Sequence, residues 1–220
     1  MHVSSQKKKI NNQANQAYLW HCRLGHIGRT RINKLHKDGF LGLYDFKSYE
    51  TCESCLKGKM TKSPFTGTGE RANELLGLIH TDVYGPIKVQ AKGGYSYFIT
   101  FTDDISRYGF VYLMRHKSES FEIFKRFRTE VENKTGKSIK ALRSDRGGEY
   151  LSDEFVDYLR QNGILPQWTP PGTPQHNGVS ERRNRTLLDM VRSMMGFTNL
   201  LIYLRGYALE FVTYILKKFH

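Results

Sequence analysis

Two histidines and two cysteines stand in close pairs early in the chain. His21 and His26 have four residues between them, Cys52 and Cys55 have two, and 25 separate the pairs. Two imidazoles and two thiolates suit a tetrahedral structural zinc, and the short spacing lets each pair converge on one ion while the interval folds. Such an ion supplies folding free energy that a unit of about 50 residues lacks from its own core, and its thiolates make that contribution pH-dependent. The competing reading takes Trp20, Leu24 and Ile27 as a small core flanked by incidental histidines, with Cys52 and Cys55 as a redox pair. A redox CxxC opens a helix after a buried strand, whereas CESCLKGK follows a polar stretch. Cys22 could replace a ligand, although adjacent residues rarely point to the same ion.

A second constellation is acidic. Asp82 ends the first predicted strand, Asp145 follows the fourth, and Glu181 falls in the first turn of a helix after a Pro/Gly loop. A compact sheet could bring all three to one edge, where a divalent cation would offset their mutual repulsion. Three such oxygen donors could hold two Mg²⁺ or Mn²⁺ ions. Asp103, Asp104, Glu149, Asp153 and Asp189 also lie near element ends, so spacing alone leaves open ordinary solvated or capping carboxylates.

Basic and amide residues surround the acids. Arg182, Arg183, Arg185 and Arg192 follow Glu181 on one helix, with Arg185 a turn beyond it, reading either as phosphate contacts or as a solvated basic face. Gly172, Gly178, Pro170, Pro171 and Pro174 bracket Gln175 and Asn177 in a loop whose backbone and amides could approach DNA. Lys57, Lys59 and Lys62 trail the second cysteine pair and read as DNA-backbone contacts or as an exposed linker.

The elements that must position these groups follow from periodicity. LLGLIHTD, YSYFITFTD and GFVYLMR are short, rich in aromatic or β-branched residues and separated by turns, predicting three antiparallel strands. SESFEIFKRFRTEVENK sets Phe121, Phe124, Phe127 and Val131 on one stripe, predicting a helix over 118–134 capped by Ser118. SIKALRSD is a fourth strand, SDEFVDYLRQNG a helix opened by Ser152 and closed by Gly163, and ILPQWTP a short fifth strand. The last long helix starts near Gly178 or Val179, with Leu187, Leu188, Val191, Met194 and Met195 on its apolar side. A mixed α/β sheet with helices against it follows.

Composition sets the bounds. The 220 residues allow a small module joined to one medium domain, and 34 Lys plus Arg against 21 Asp plus Glu give +13, favouring a polyanionic partner. Residues 1–74 carry 13 basic against 6 acidic side chains, 13 − 6 = +7, so the first third holds half the net charge. Three cysteines point to a reducing compartment rather than a disulfide scaffold. The opening MHVSSQKKKI has no following apolar stretch, and NLLIYLRGYALEFVTYIL is broken by Arg205 and Glu210, so neither a signal peptide nor a membrane span is expected. Lys7 to Lys9 read as solubilising charge or an import patch. Boundaries are expected at a flexible basic N-terminus 1–17, the HHCC module 18–63, a linker 64–74, a core 75–200 and a truncated C-terminal helix 201–220.

Long blocks in one order resemble a known family. LWHCRLGH with CESCLKGKMTKSPF is similar to the pre-integrase zinc module of copia-type long-terminal-repeat retrotransposons. HTDVYGP, YFITFTDDISRYGFVYLMRHKSE, RSDRGGEY and TPPGTPQHNGVSERRNRTLLDMVRSMM resemble successive blocks of that family's integrase core, and the likeness runs from about Tyr18 to Lys217. The resemblance implies an RNase H-like mixed five-stranded sheet with flanking helices, preceded by the small helical zinc module. It implies His21, His26, Cys52 and Cys55 as zinc ligands, and Asp82, Asp145 and Glu181 as the catalytic triad holding two Mg²⁺ or Mn²⁺ ions. The implied function is 3′-end processing of element DNA and strand transfer into target DNA, by several copies acting together in the nucleus, with cytoplasmic particles before import. His176 stands where the family has Trp, and LRGYALE departs from the family's FWGYALE. A catalytically silent zinc-dependent relic that binds nucleic acid or protein, and a generic RNase H-like nuclease, are the alternatives.

Overall fold

The structure is a computed structural model that describes residues 16–42, 52–58, 71–169, 177–196 and 201–218. Lys7 to Lys9, Lys59, Lys62, Gln175 and His176, and with them much of the expected linker and Pro/Gly loop, lie outside the described residues. Strands β1 (Ile79–Tyr84), β2 (Tyr97–Asp103) and β3 (Gly109–Met114) form an antiparallel meander. β4 (Ala141–Ser144) runs parallel to β1, and β5 (Leu165–Trp168) parallel to β4, giving one mixed sheet in the order β3-β2-β1-β4-β5.

β1 starts four residues later than its apolar pattern predicts. Leu76 adopts a left-handed φ of 62°, and its N–H donates to Asp103 Oδ1 at 2.8 Å. The other oxygen of Asp103 accepts from the Ser106 N–H and hydroxyl at 2.7 and 2.8 Å. One carboxylate thus organises both the entry to β1 and the turn after β2. Asp104 accepts from the Ala72 N–H and from His80 Nε2, both at 2.9 Å, and pairs with Arg107. Both acids are structural, which removes them from the candidate metal ligands.

Helix α4 (Ser120–Thr135) covers one face of the sheet together with α5 (Asp153–Gln161). Its capping differs from expectation: Ser118 lies inside a preceding 3₁₀ turn, and the Glu119 carboxylate accepts the Arg115 and His116 N–H groups at 2.9 and 2.7 Å. The predicted stripe is buried at Phe124, Phe127 and Val131 with Ile123 added, and Phe127 stacks on Phe101 of β2 at 4.2 Å. Phe121 is only half-buried, packed beside Phe155 and Tyr158.

The opposite face carries α6 (Gly178–Gly196), α7 (Arg205–Lys217) and the N-terminal helices α1 (Gln16–Arg23), α2 (Arg29–Lys37) and α3 (Glu53–Gly58). Ile27, Ile32 and Leu35 of the N-terminal unit pack in one cluster with Leu187, Met190 and Val191 of α6, Val212 and Leu216 of α7, and Phe98 beneath them. Each fully buried aliphatic of this size contributes roughly 1.5–3 kcal/mol, so this docking face is a substantial part of the core. No helix among the described residues is long and apolar enough to cross a membrane.

Candidate functional site

The His/Cys quartet converges because α1 ends in a sharp reversal. Gly25 and His26 take consecutive left-handed φ values of 66° and 59°, and the His26 N–H donates to the His21 carbonyl at 2.8 Å, swinging the second imidazole back over the first. A left-handed histidine costs on the order of 1 kcal/mol or more, a strain concentrated here at the site itself. His21 Nδ1 lies 2.9 Å from the Ile27 carbonyl, which can only accept, so Nδ1 carries the proton and the unprotonated Nε2 faces the other three side chains of the quartet. His26 Nδ1 sits 3.2 Å from that nitrogen, with Cys52 Sγ at 3.4 Å and Cys55 Sγ at 3.7 Å from it, while Cys55 Sγ to His21 Nε2 is 3.2 Å. A tetrahedron with metal–nitrogen bonds of about 2.05 Å and metal–sulfur bonds of about 2.3 Å has edges of roughly 3.3–3.8 Å. The four distances just given come close to those edges, and all four donor atoms lie within 4.8 Å of one another, a spacing compatible with a tetrahedral metal ion. Cys22 is outside the quartet. Tyr18 lies beside the centre, its hydroxyl 3.9 Å from Cys52 Sγ, and burial with the neighbouring thiols pushes its pKa up.

The acidic edge is built by strand register. Parallel pairing sets Ile79 opposite Leu142 and His80 opposite Arg143, an offset of 142 − 79 = 63, and the same offset puts Asp82 level with Asp145 where the chains leave the ladder. Asp82 is partly buried and Asp145 exposed. Asp145 Oδ1 accepts the Gly147 N–H at 3.1 Å, shaping the turn after β4. Glu181 is exposed in the first turn of α6, near enough for its charge to act on Asp82. Two amides fasten that turn to β1: Asn177 Nδ2 donates to the Thr81 carbonyl at 3.3 Å, and Asn184 Nδ2 donates to Asp82 Oδ2 at 2.7 Å. Beneath, the Tyr150 and Thr81 hydroxyls lie 3.0 Å apart.

The electrostatics report the crowding. Burial first, then the Asp145 charge, push the Asp82 carboxyl up to about 7, with Glu181 adding to the rise and Asn184 opposing it. Asn177 Oδ1, Ser180 Oγ and Asn184 Oδ1 are buried without a partner beneath this edge. A partly buried acid facing two more carboxylates, with polar atoms unsatisfied around it, is a donor set that suits a divalent cation. The trio is more open than the quartet: among the described residues, only the His/Cys group gathers its donor atoms within 4.8 Å. Asn184 was not evident from composition or motif, although it stands one turn beyond Glu181 on the same helical face. Replacing Asn184 by Leu should raise the Asp82 pKa further, by roughly 1–2 units if the charged hydrogen bond contributes its usual ~1.5–3 kcal/mol. Carboxyl titration by carbon NMR would read that shift.

The other expected site residues divide. Arg182 and Arg185 are exposed beside Glu181. Lys57 is exposed and paired with Glu53 at 2.5 Å. Two expected DNA contacts are engaged within the chain instead: Asn177 is buried on Thr81, and the partly exposed Arg192 donates from Nε to the Gly58 carbonyl at 2.8 Å while pairing with buried Asp189. Arg183 is also buried, and burial, then Arg31, lowers its pKa to about 10. Glu149 pairs with Lys117 at 3.3 Å.

Comparison with known proteins bears on both sites. A family described as GAG-pre-integrase domain matches residues 2–60, and the integrase core domain matches residues 72–174, a span that includes Asp82 and Asp145 and stops before Glu181. The chain is 40% identical over 200 residues to the retrovirus-related Pol polyprotein from transposon TNT 1-94 of Nicotiana tabacum, covering 91% of this chain and 15% of that one. It is 30% identical over 201 residues to the corresponding polyprotein from transposon RE2 of Arabidopsis thaliana, covering 90% and 14%. It is 32% identical over 170 residues to the transposon Ty1-NL2 Gag-Pol polyprotein of Saccharomyces cerevisiae, covering 74% and 10%. The chain thus spans no more than 15% of the length of these relatives. In fold it is similar to a chain of the simian T-cell lymphotropic virus intasome in complex with PP2A regulatory subunit B56 gamma, with TM-score 0.54, 17% identity and coverage of 90% of this chain and 66% of that one. It is also similar to the HTLV-2 integrase catalytic core domain in complex with magnesium, with TM-score 0.50, 17% identity and coverage of 66% and 88%. Asp82 does not end β1 as its sequence suggests, since the strand runs on to Tyr84. With the quartet in the one matched domain and Asp82 of β1 and Asp145 after β4 in the other, the chain belongs to the integrase region of the retrovirus-related Pol polyproteins of copia-type transposons.

Proposed function

We propose that the acidic edge is a phosphoryl-transfer site that trims element DNA at its 3′ ends and joins them to target DNA, and that the quartet holds a structural zinc. The observation that supports this most is the β1–β4 register, which sets Asp82 level with Asp145, together with the Asp82 carboxyl that burial and then the Asp145 charge push up to about 7. Asp82, Asp145 and Glu181 would hold two Mg²⁺ or Mn²⁺ ions, which when bound activate the attacking oxygen and offset charge on the leaving one. The chain's own contribution is placement. The Asn184 amide orients the Asp82 carboxylate, Asn177 ties the start of α6 to β1, and the exposed Arg182 and Arg185 offer charge to the DNA backbone next to the reacting phosphate. No protein nucleophile is needed, since water or a DNA 3′-OH attacks. DNA is the partner, and several copies would be needed to hold two DNA ends.

The test is a purified-protein assay with Mn²⁺ and a labelled terminal-repeat DNA end. Processed and joined products are expected, and cutting without end preference or joining would instead indicate a generic nuclease. The backbone contacts carry their own expectation. Converting Arg182 and Arg185 together to Ala should lower the slope of log affinity against log salt by about 2 and weaken binding to all sequences alike. Fluorescence anisotropy across a salt series measures it.

A further inference from the structure

The N-terminal module is set on the helix that carries Glu181 and Asn184, and the contacts at this seam are of two kinds. The first is apolar. Gly25 presses its backbone onto α6 so closely that a Cβ there would stand 3.2 Å from Met194 Sδ and 3.4 Å from Met190 Cε. Ile27, Ile32 and Leu35 add to this face. Such contacts fix how far apart two elements lie, but they are non-directional and tolerate sliding along the helix axis.

The second kind is directional. α3 starts one residue after Cys52, carries Cys55 and ends at Gly58, three residues beyond it. A Cβ on Gly58 would meet Ser193 Oγ at 2.8 Å and the Ser193 backbone nitrogen at 2.9 Å, so α3 lies flush against α6. Arg192 Nε donates to the Gly58 carbonyl at 2.8 Å, and its guanidinium is oriented by Asp189, one turn back and buried. A hydrogen bond to one carbonyl sets the axial register that the apolar face leaves free. Eleven residues of unbroken helix, about 16 Å, separate Arg192 from Glu181, and Asn184 lies between them on its bond to Asp82.

We propose that Arg192 is a positioning residue: through the Gly58 carbonyl it locks the His/Cys module to α6 and so fixes where Glu181 and Asn184 stand over Asp82. The catalytic part of this inference rests on the reading of the acidic edge as the active site, whereas the positional part does not. Misplacement by about 1 Å at a remote support can cost ~10²-fold in rate, so a single lost contact at the seam is expected to register at the edge.

The test uses the full chain as Arg192→Met, which keeps an apolar stem, and Arg192→Lys, which keeps the charge. Zinc content is measured first, and both variants should hold the same amount as wild type. The metal-independent readout is the Asn184 side-chain amide resonance, which reports its bond to Asp82. It should move in Arg192→Met and return toward its wild-type position in Arg192→Lys. Manganese affinity should fall about tenfold in Arg192→Met and kcat for joining with it, at unchanged KM for DNA. Should Arg192→Met lose its fold, Asp189→Asn removes the group that orients the guanidinium, and the same amide shift is expected at smaller size. An Asn184 resonance unmoved in the folded, zinc-loaded variants overturns the proposal. A shifted Asn184 in a protein whose wild type binds no manganese at Asp82 leaves Arg192 a positioning residue and overturns the acidic-edge reading instead.

Discussion

Replacing Asp82 by Asn is expected to abolish DNA joining, by about 10³-fold or more, while making the metal-free protein more stable at neutral pH. The first effect follows from losing one of the three carboxylates proposed to hold the metal ions, a loss of several kcal/mol of transition-state stabilisation. The second follows from the raised pKa. An Asp titrates near 3.8 when unfolded, but Asp82 in the folded chain is held up to about 7 by burial and by Asp145. Between those values the unfolded chain has released its proton and the folded chain keeps it, so stability falls as pH rises through the window. Above about pH 7 the penalty is fully present, and below about pH 4 it is absent. Its size is on the order of 2–4 kcal/mol, and Asn carries none of it while still offering an oxygen to the Asn184 amide. Calorimetry at pH 5 and pH 8 should show wild type losing stability with rising pH and Asp82→Asn losing less. Manganese should stabilise wild type at pH 8 and leave the variant unmoved. A variant less stable than wild type at neutral pH would mean that the three carboxylates do not burden one another.

Removing zinc, or converting Cys52 to Ser, is expected to lower the melting temperature of the whole chain by roughly 10–20 °C, beyond any local loss in the N-terminal helices. Structural zinc binding is worth on the order of 10 kcal/mol, and if about half of it reaches the shared cluster, a domain of this size shifts by ~2–4 °C per kcal/mol. The reason is the packing: Ile27, Ile32 and Leu35 cover Leu187, Met190 and Val191, so releasing the module exposes the outer face of α6. Circular dichroism melts paired with elemental analysis check this. A zinc-free protein in which α6 keeps its amide-exchange protection would make the module an independent appendage.

The His/Cys pairs were legible in the chain because their spacing is local, whereas the acidic trio, spread from Asp82 to Glu181, stayed open by spacing and was singled out by the family resemblance. Two His with four residues between them and two Cys with two between them constrain each other whatever surrounds them. The strands and helices were legible for the same reason, since periods near 2 and 3.6 are properties of short windows. The failures are long-range. Leu75 and Leu76 look like strand, yet Asp103, 27 residues beyond Leu76, takes the Leu76 N–H and turns the chain. Asn184 reaches Asp82 across 102 positions, and Arg192 reaches Gly58 across 134, so nothing local marks either partner. Arg192 had the composition of a DNA contact and the environment of a structural one. Charge could be read from the chain, but the direction it faces could not.

The most direct measurement of the acidic-edge reading is X-ray diffraction at the manganese absorption edge from crystals of the full chain soaked in Mn²⁺. The expected result is two anomalous peaks roughly 2 Å from carboxylate oxygens of Asp82, Asp145 and Glu181. Manganese bound only at other acids such as Asp153, or no peak beside Asp82 at saturating metal, would contradict it.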